Sequence, residues 1–160
     1  MLTLLAASIL AIPPATSYTL IPDSSDDIKA AVNQTVEHMS FITRPIARGR
    51  LNKTNPLPRH MQVTRTNDTI AVAFDDGNPI ITPLNGDTVP WRSSLMHEDY
   101  QAHAERAGDT TAQIIVAPDG ERKNEYVFTD NGSRLELRVT ISSHRLPRSL
   151  TYTLRFKRDA

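Results

Sequence analysis

The sequence predicts a mainly β fold, an up-and-down antiparallel β-barrel or strongly curved sheet with one N-terminal amphipathic helix. Three observations carry that prediction. Leu135, Leu137, Val139 and Ile141 alternate with Glu136, Arg138, Thr140 and Ser142. Past a loop containing Pro147, Leu150, Tyr152, Leu154 and Phe156 alternate with Thr151, Thr153, Arg155 and Lys157. Two runs of period two joined by a short loop describe a hairpin with one buried and one wetted face. The third observation is punctuation: Asn67-Asp68, Asp76-Gly77, Asn85-Gly86, Gly108-Asp109, Asp119-Gly120 and Asn131-Gly132 separate short runs from residue 60 onward. Such pairs supply the positive φ of tight turns. Their spacing leaves no room for crossover helices, so consecutive strands pair antiparallel.

In chain order, residues 1–17 read as a secretory leader, 18–59 as the helix and a connector, and 60–160 as the β domain, with 18–160 one folded unit. The leader reading rests on the apolar run Leu2–Leu10, the breaker Pro13-Pro14, and small residues Ala15 and Ser17 at −3 and −1 of a cut after Ser17. No Lys or Arg precedes the apolar run. The expected location is therefore outside the cytoplasm, in a bacterial periplasm or secreted. Ile28, Val32, Val36, Met39, Ile42 and Ile46 then trace one helical face, with Ser24 or Ser25 as its cap and Pro45 as its end or kink. The polar face of such a helix, Lys29, Asn33, Gln34 and Glu37, is too poor in cations for a membrane-surface helix. Residues 47–59 read as a basic loop. Strands are expected at 60–66, 69–75, 79–84, 87–92, 97–106, 110–117, 122–129, 133–143 and 149–158. Their inward face would hold Ile70, Val72, Phe74, Trp91, Tyr100, Ala102, Ala104, Ile114, Val116, Tyr126 and Phe128, with the two C-terminal apolar rows. Eight or nine such strands curl until they close or nearly close.

Composition limits function. With 160 residues and no cysteine, the chain builds an ordinary core without disulfides, thiolate metal sites or cysteine nucleophiles. Eighteen basic and eighteen acidic residues are interspersed, which leaves no one-sided basic footprint for nucleic acid.

Motifs for catalysis are lacking. Ser93, Ser94, Ser142 and Ser143 sit in no nucleophile elbow. A hydrolase would bring a serine or carboxylate within about 3 Å of a histidine. His97, Asp99, His103 and Glu105 share strand parity, but same-face neighbours are about 6.8 Å apart, so His97 and His103 are too distant to share one ion. No catalytic residue, metal site or cofactor is therefore assigned.

Several stretches resemble a group of small exported bacterial proteins with a lipocalin-like, calycin-like look. They are Phe41-Ile42-Thr43-Arg44-Pro45-Ile46-Ala47-Arg48 with Arg50-Leu51 and Lys53-Thr54-Asn55, Asp68-Thr69-Ile70, Thr82-Pro83-Leu84-Asn85-Gly86 and Trp91. Near the C-terminus they are Asp130-Asn131-Gly132-Ser133-Arg134-Leu135, Ser142-Ser143, Arg145-Leu146-Pro147, Tyr152-Thr153-Leu154 and Lys157-Arg158. The likeness spans about residues 25–158 and consists of turn and strand residues, so it implies a fold more than a chemistry. The Gly-x-Trp of the lipocalin first strand is absent.

An eight-stranded barrel encloses room for side chains or one small ligand. The expected function is non-catalytic binding of a small apolar or amphipathic molecule by a monomer, with Trp91, Tyr100, Tyr126, Phe128 and Tyr152 as candidate ligand-binding residues. The alternative is an envelope protein-interaction or structural module whose large inward residues fill the core and leave no cavity.

Overall fold

The computed structural model describes residues 14–160 and shows a ten-stranded antiparallel sheet rolled into a nearly closed barrel with two helices. Expected strands from residue 60 onward are all present, with ends shifted by at most two residues: β2 (His60–Arg65), β3 (Thr69–Phe74), β4 (Ile80–Pro83), β5 (Val89–Arg92), β6 (Asp99–Ala107), β7 (Thr110–Ala117), β8 (Gly120–Thr129), β9 (Arg134–Ser143) and β10 (Leu150–Arg158). A tenth strand precedes them. β1 (Thr16–Leu20) lies between β2 and β10, pairing Tyr18 with Met61 on one side and Leu20 with Phe156 on the other. The order β4-β3-β2-β1-β10-β9-β8-β7-β6-β5 leaves β4 and β5 as the two unpaired edges of one seam. Most of the expected leader, residues 1–13, lies outside the described residues, whereas Thr16 and Ser17 belong to β1.

The single expected helix is a pair, α1 (Ile28–Val36) and α2 (Thr43–Thr54), inserted between β1 and β2. Proline is the reason. Pro45 occupies the first turn of α2, where the missing N–H has no intrahelical acceptor to lose, so the ring starts a new helix instead of ending the old one. Met39 N–H bonds the Val36 carbonyl, and Ser40 Oγ accepts from Thr43 N–H at 3.2 Å, which folds 37–42 into the turn between the helices. The α1 cap is Asp27, not Ser24 or Ser25: its Oδ1 accepts from Lys29 N–H at 2.9 Å and Ala30 N–H at 3.2 Å. The two serines belong to the preceding turn, where Ser25 Oγ donates to the Ile21 carbonyl and accepts from Arg155 N–H, both at 2.8 Å. The stretch read as a basic loop is thus mostly α2. Its cations, Arg44, Arg48, Arg50 and Lys53, face no acidic residue within the helix.

Two facings also differ from expectation. On β7 the inward residues are Gln113 and Ile115, registered with Ala104 and Ala102 of β6. Ile114 is buried on the outer face between its partners His103 and Lys123, and Val116 is exposed. β7 is buried on both faces, and its outward row with Ala112 and Ile114 is the more apolar, so alternation alone did not give its phase; only registry with β6 and β8 sets it.

The core is unevenly filled. Met61, Val63, Ile70, Val72, Tyr126, Leu135 and Phe156 pack the half of the barrel nearer the β8–β9 turn. There Tyr18 donates to the Gly132 carbonyl at 2.9 Å and tilts against Phe128, whose ring carries the Arg65 guanidinium at 4.8 Å. At the other half the helices cover the opening, with Ile28, Val32, Val36 and Leu51 buried against the sheet. The β1–β10 ladder continues irregularly past Leu20. Ile21 N–H bonds the Arg155 carbonyl at 2.7 Å, and Asp26 Oδ2 accepts from Thr153 N–H at 2.7 Å, which leads the chain onto the barrel mouth.

Two glycines test this packing with opposite signs. At Gly120, a Cβ would stand 2.1 Å from the Ser142 carbonyl oxygen across the β8–β9 ladder. Gly120→Ala is expected to lower unfolding free energy by about 1–3 kcal/mol in urea titration, as overpacking does. Gly49 lies in α2 with nothing within 4 Å of such a Cβ. Gly49→Ala is expected to raise stability by about 0.5–1 kcal/mol in the same measurement.

Candidate functional site: a half-open cavity beneath the helices

Four hairpin turns, 75–79, 93–98, 118–119 and 144–149, together with α2, gather at one end of the barrel because alternate connections of a meander fall on the same side. Beneath them lies a cavity of about 920 Å³. One face of α2 roofs it, with Thr43, Ala47, Leu51 and Thr54 following the helical repeat. Phe74, Ile80, Trp91, Leu137 and Leu154 form much of the apolar wall. At the rim Asp119 stands 3.7 Å from both Arg50 of α2 and Arg145 of the β9–β10 loop, which ties the roof to the wall.

The lining also carries the acids Asp75, Asp76, Asp119 and Glu121, and one connected polar group stands apart from them. Arg122 shares strand parity with Tyr126 and so points inward. Its Nε donates to Asn124 Oδ1 at 2.9 Å, its Nη1 to Asn55 Oδ1 at 2.9 Å and its Nη2 to the Tyr152 hydroxyl at 3.2 Å. Tyr152 in turn donates to Asn55 Oδ1 at 2.9 Å. Every acceptor in this set is neutral, and Arg122 has no ion pair among the described residues. A guanidinium lining a largely apolar cavity with no carboxylate in ion-pair contact favours an anionic guest, because low polarity strengthens the attraction that its neutral partners leave unsatisfied.

Three of the five candidate ligand-binding residues line this cavity: Trp91, Tyr100 and Tyr152. Trp91 stacks on Tyr100 with ring centroids 6.1 Å apart, and its indole N–H is buried with no hydrogen-bond partner. The Tyr100 hydroxyl donates to Glu98 Oε2 at 2.6 Å. Burial first, and then that carboxylate, push its pKa up to about 12. Tyr126 and Phe128 sit in the filled half, away from the cavity. Tyr126 donates to Gln113 Oε1 at 2.9 Å, while Gln113 Nε2 reaches Thr82 Oγ1 at 3.0 Å and the Ile80 carbonyl at 2.8 Å. Gln113 therefore bonds β7 to β4 across the interior, beside the open seam.

The strand expected from residue 97 begins at Asp99. His97 has left the strand with φ of 55°, Asp99 pairs with Arg92 at 3.0 Å, and His103 approaches only Glu105, at 3.6 Å. Among the described residues no group of three or more His, Asp or Glu is placed to hold a metal ion. His60 meets a threonine hydroxyl, that of Thr19, at 3.4 Å, and His38 meets the exposed Glu37 at 3.2 Å. Neither contact lies in the cavity.

Comparison with family models and with curated proteins finds no match. Solved structures do match over nearly the whole chain. A secretary abundant heat soluble protein from Ramazzottius varieornatus superposes with a TM-score of 0.60 at 11% identity, covering 89% of this chain and 93% of that one. The REP1-NXSQ fatty acid transporter gives 0.57 at 12% identity over 91% and 96%, and human cRBP IV gives 0.56 at 14% over 89% and 96%. The fold is a calycin-like, lipocalin-like barrel. At these identities the likeness speaks for the backbone of the calycin-like barrel, and the chemistry must come from this chain's own side chains.

The residues that sequence reasoning missed are Arg122, Asn124, Asn55 and Gln113. For the first two a signal existed, since they share parity with Tyr126 and Phe128 on one strand. Asn55 and Gln113 acquire their roles from partners 97 and 31 residues away in Tyr152 and Thr82.

Burial pushes the Tyr126 hydroxyl above its ordinary value of 10.0. Above that value the unfolded chain releases this proton while the folded chain keeps it. Its contribution is therefore intact below pH 10 and lost as pH rises toward the folded value. Tyr126→Phe is expected to flatten part of the stability loss between about pH 9 and pH 11 in urea titrations. The remainder belongs to Tyr18 and Tyr100, which burial also raises.

Proposed function

We propose that this chain is a non-catalytic carrier of one amphipathic molecule, with its apolar tail in the barrel and an anionic head at Arg122. The observation that carries the reading is a guanidinium with only neutral hydrogen-bond partners, set in the wall of an apolar cavity of about 920 Å³. That volume falls within the usual span for small-molecule sites, roughly 300–1,000 Å³. It also counts against an interaction module with a filled interior. Similar barrels, a fatty acid transporter and a fatty acid-binding protein of Drosophila melanogaster brain, support the same ligand class.

Dodecanoate and dodecanol separate tail binding from head binding. In calorimetric titration both are expected to bind saturably at one site, dodecanoate more tightly. Arg122→Leu is expected to weaken dodecanoate about 10- to 100-fold, the range of a charged hydrogen bond, while leaving dodecanol unchanged. Absence of saturable binding by either ligand would overturn the reading.

Export belongs to the proposal and rests on the apolar run and small residues of the N-terminus. A cut after Ser17 leaves β1 with Tyr18, Thr19 and Leu20, the three residues that pair with β10. N-terminal sequencing of protein from a bacterial host is expected to start at Tyr18 in the extracytoplasmic fraction. Uncut protein confined to the cytoplasm would count against it.

A further inference from the structure

Asn55, at the end of α2, is the one residue that joins the roof to the polar group in the wall. It is 4% exposed. Its amide donates to the Leu51 carbonyl at 2.9 Å and to Thr54 Oγ1 at 3.2 Å, which closes the last turn of the helix. Its Oδ1 accepts from Arg122 Nη1 and from the Tyr152 hydroxyl, each at 2.9 Å. Asn55 is not itself part of the cavity wall, whereas Arg122 and Tyr152 are. A guest therefore meets those two first and acts on Asn55 only through them.

Proton accounting then decides what a guest does. A phenol carries one hydroxyl proton. In Tyr152 that proton goes to Asn55, and the oxygen accepts from Arg122 Nη2 at 3.2 Å. Tyr152 thus presents the cavity with an acceptor and no donor. A carboxylate has no proton to give and bonds Tyr152 only by drawing the proton away from Asn55. An alcohol has a proton of its own, donates it to the Tyr152 oxygen and leaves the bond to Asn55 standing.

Resting on the carrier reading above, we propose that the Tyr152 hydroxyl is a two-position latch. It holds the end of α2 through Asn55, and it lets go when an anionic head at Arg122 accepts its hydrogen bond in place of Asn55. The roof then reports the charge of the cargo. Asn55 is a positioning residue in this scheme, and the releasing step transfers no proton between molecules; one hydrogen bond is exchanged for another.

Hydrogen exchange of the full chain, read by mass spectrometry with saturating dodecanoate or dodecanol, tests the latch. Dodecanoate is expected to speed exchange in the last turn of α2, Leu51 to Asn55, about fivefold, the equivalent of one net hydrogen bond. Dodecanol is expected to leave that turn unchanged. Tyr152→Phe should still bind dodecanoate through Arg122 yet lose the increment, and Asn55→Ala should exchange fast in this turn with or without ligand. Dodecanoate that slows exchange across α2, an equal effect from dodecanol, or an undiminished increment in Tyr152→Phe would overturn the latch and leave the carrier standing. Failure of dodecanoate to bind would remove the carrier reading and the latch together. The wild-type comparison of the two ligands decides the matter even where a variant does not fold.

Discussion

Two-sided pairing of β1 is the constraint on which the rest of the structure depends. Without it the chain would hold a three-stranded meander, β2 to β4, and a six-stranded one, β5 to β10. With it, five residues join both into one sheet, because Tyr18 and Thr19 carry partners on each side. The joint also brings the last strand beside the first and aims the following segment across β10 into the helical pair. Thr19 Oγ1 donates to Asp159 Oδ1 at 2.6 Å, and Asp159 N–H bonds the Ser17 carbonyl at 2.9 Å, so both ends of the fold meet at this ladder. A barrel mouth roofed by α2 is a consequence of that route.

Closure through β1 leaves the opposite side, between β4 and β5, unpaired. The barrel handles the open edge from within. Gln113 spans the interior to bond Thr82 and the Ile80 carbonyl, and Ile80 packs with Ala102 and Ile115. A buried amide is favourable only when its groups are satisfied, and Tyr126 completes the set. The two halves of the interior thereby take different tasks. One is packed and fully bonded and gives rigidity. The other keeps volume, an unpartnered indole N–H and a cation without a counter-ion, features that cost stability unless something binds there.

Much of the barrel was legible because alternation reports a physical necessity: a strand with one wetted face must place polar residues there. That logic located nine strands and both C-terminal rows. It failed where its premise failed. β7 is buried on both faces, so its phase depended on neighbours. β1 is a short strand directly following an apolar leader-like run, whose composition masks the switch in period. The helical pair was misread because an apolar repeat passes through Pro45 unbroken on paper, while the backbone restarts there.

Local chemistry in the chain alone determined the β class, the antiparallel order, the turn positions and an inward aromatic set that includes Trp91, Tyr100 and Tyr152. These follow from φ preferences and the period of the strand, which act between near neighbours. Tertiary structure alone decided that Arg122, Asn124 and Tyr152 in the wall of a cavity form one polar group with Asn55 behind them, while Tyr126 and Phe128 fill space elsewhere. The reason is that barrel closure and the route of α2 bring together residues up to 97 positions apart. No local preference encodes which of two inward-facing tyrosines meets the void.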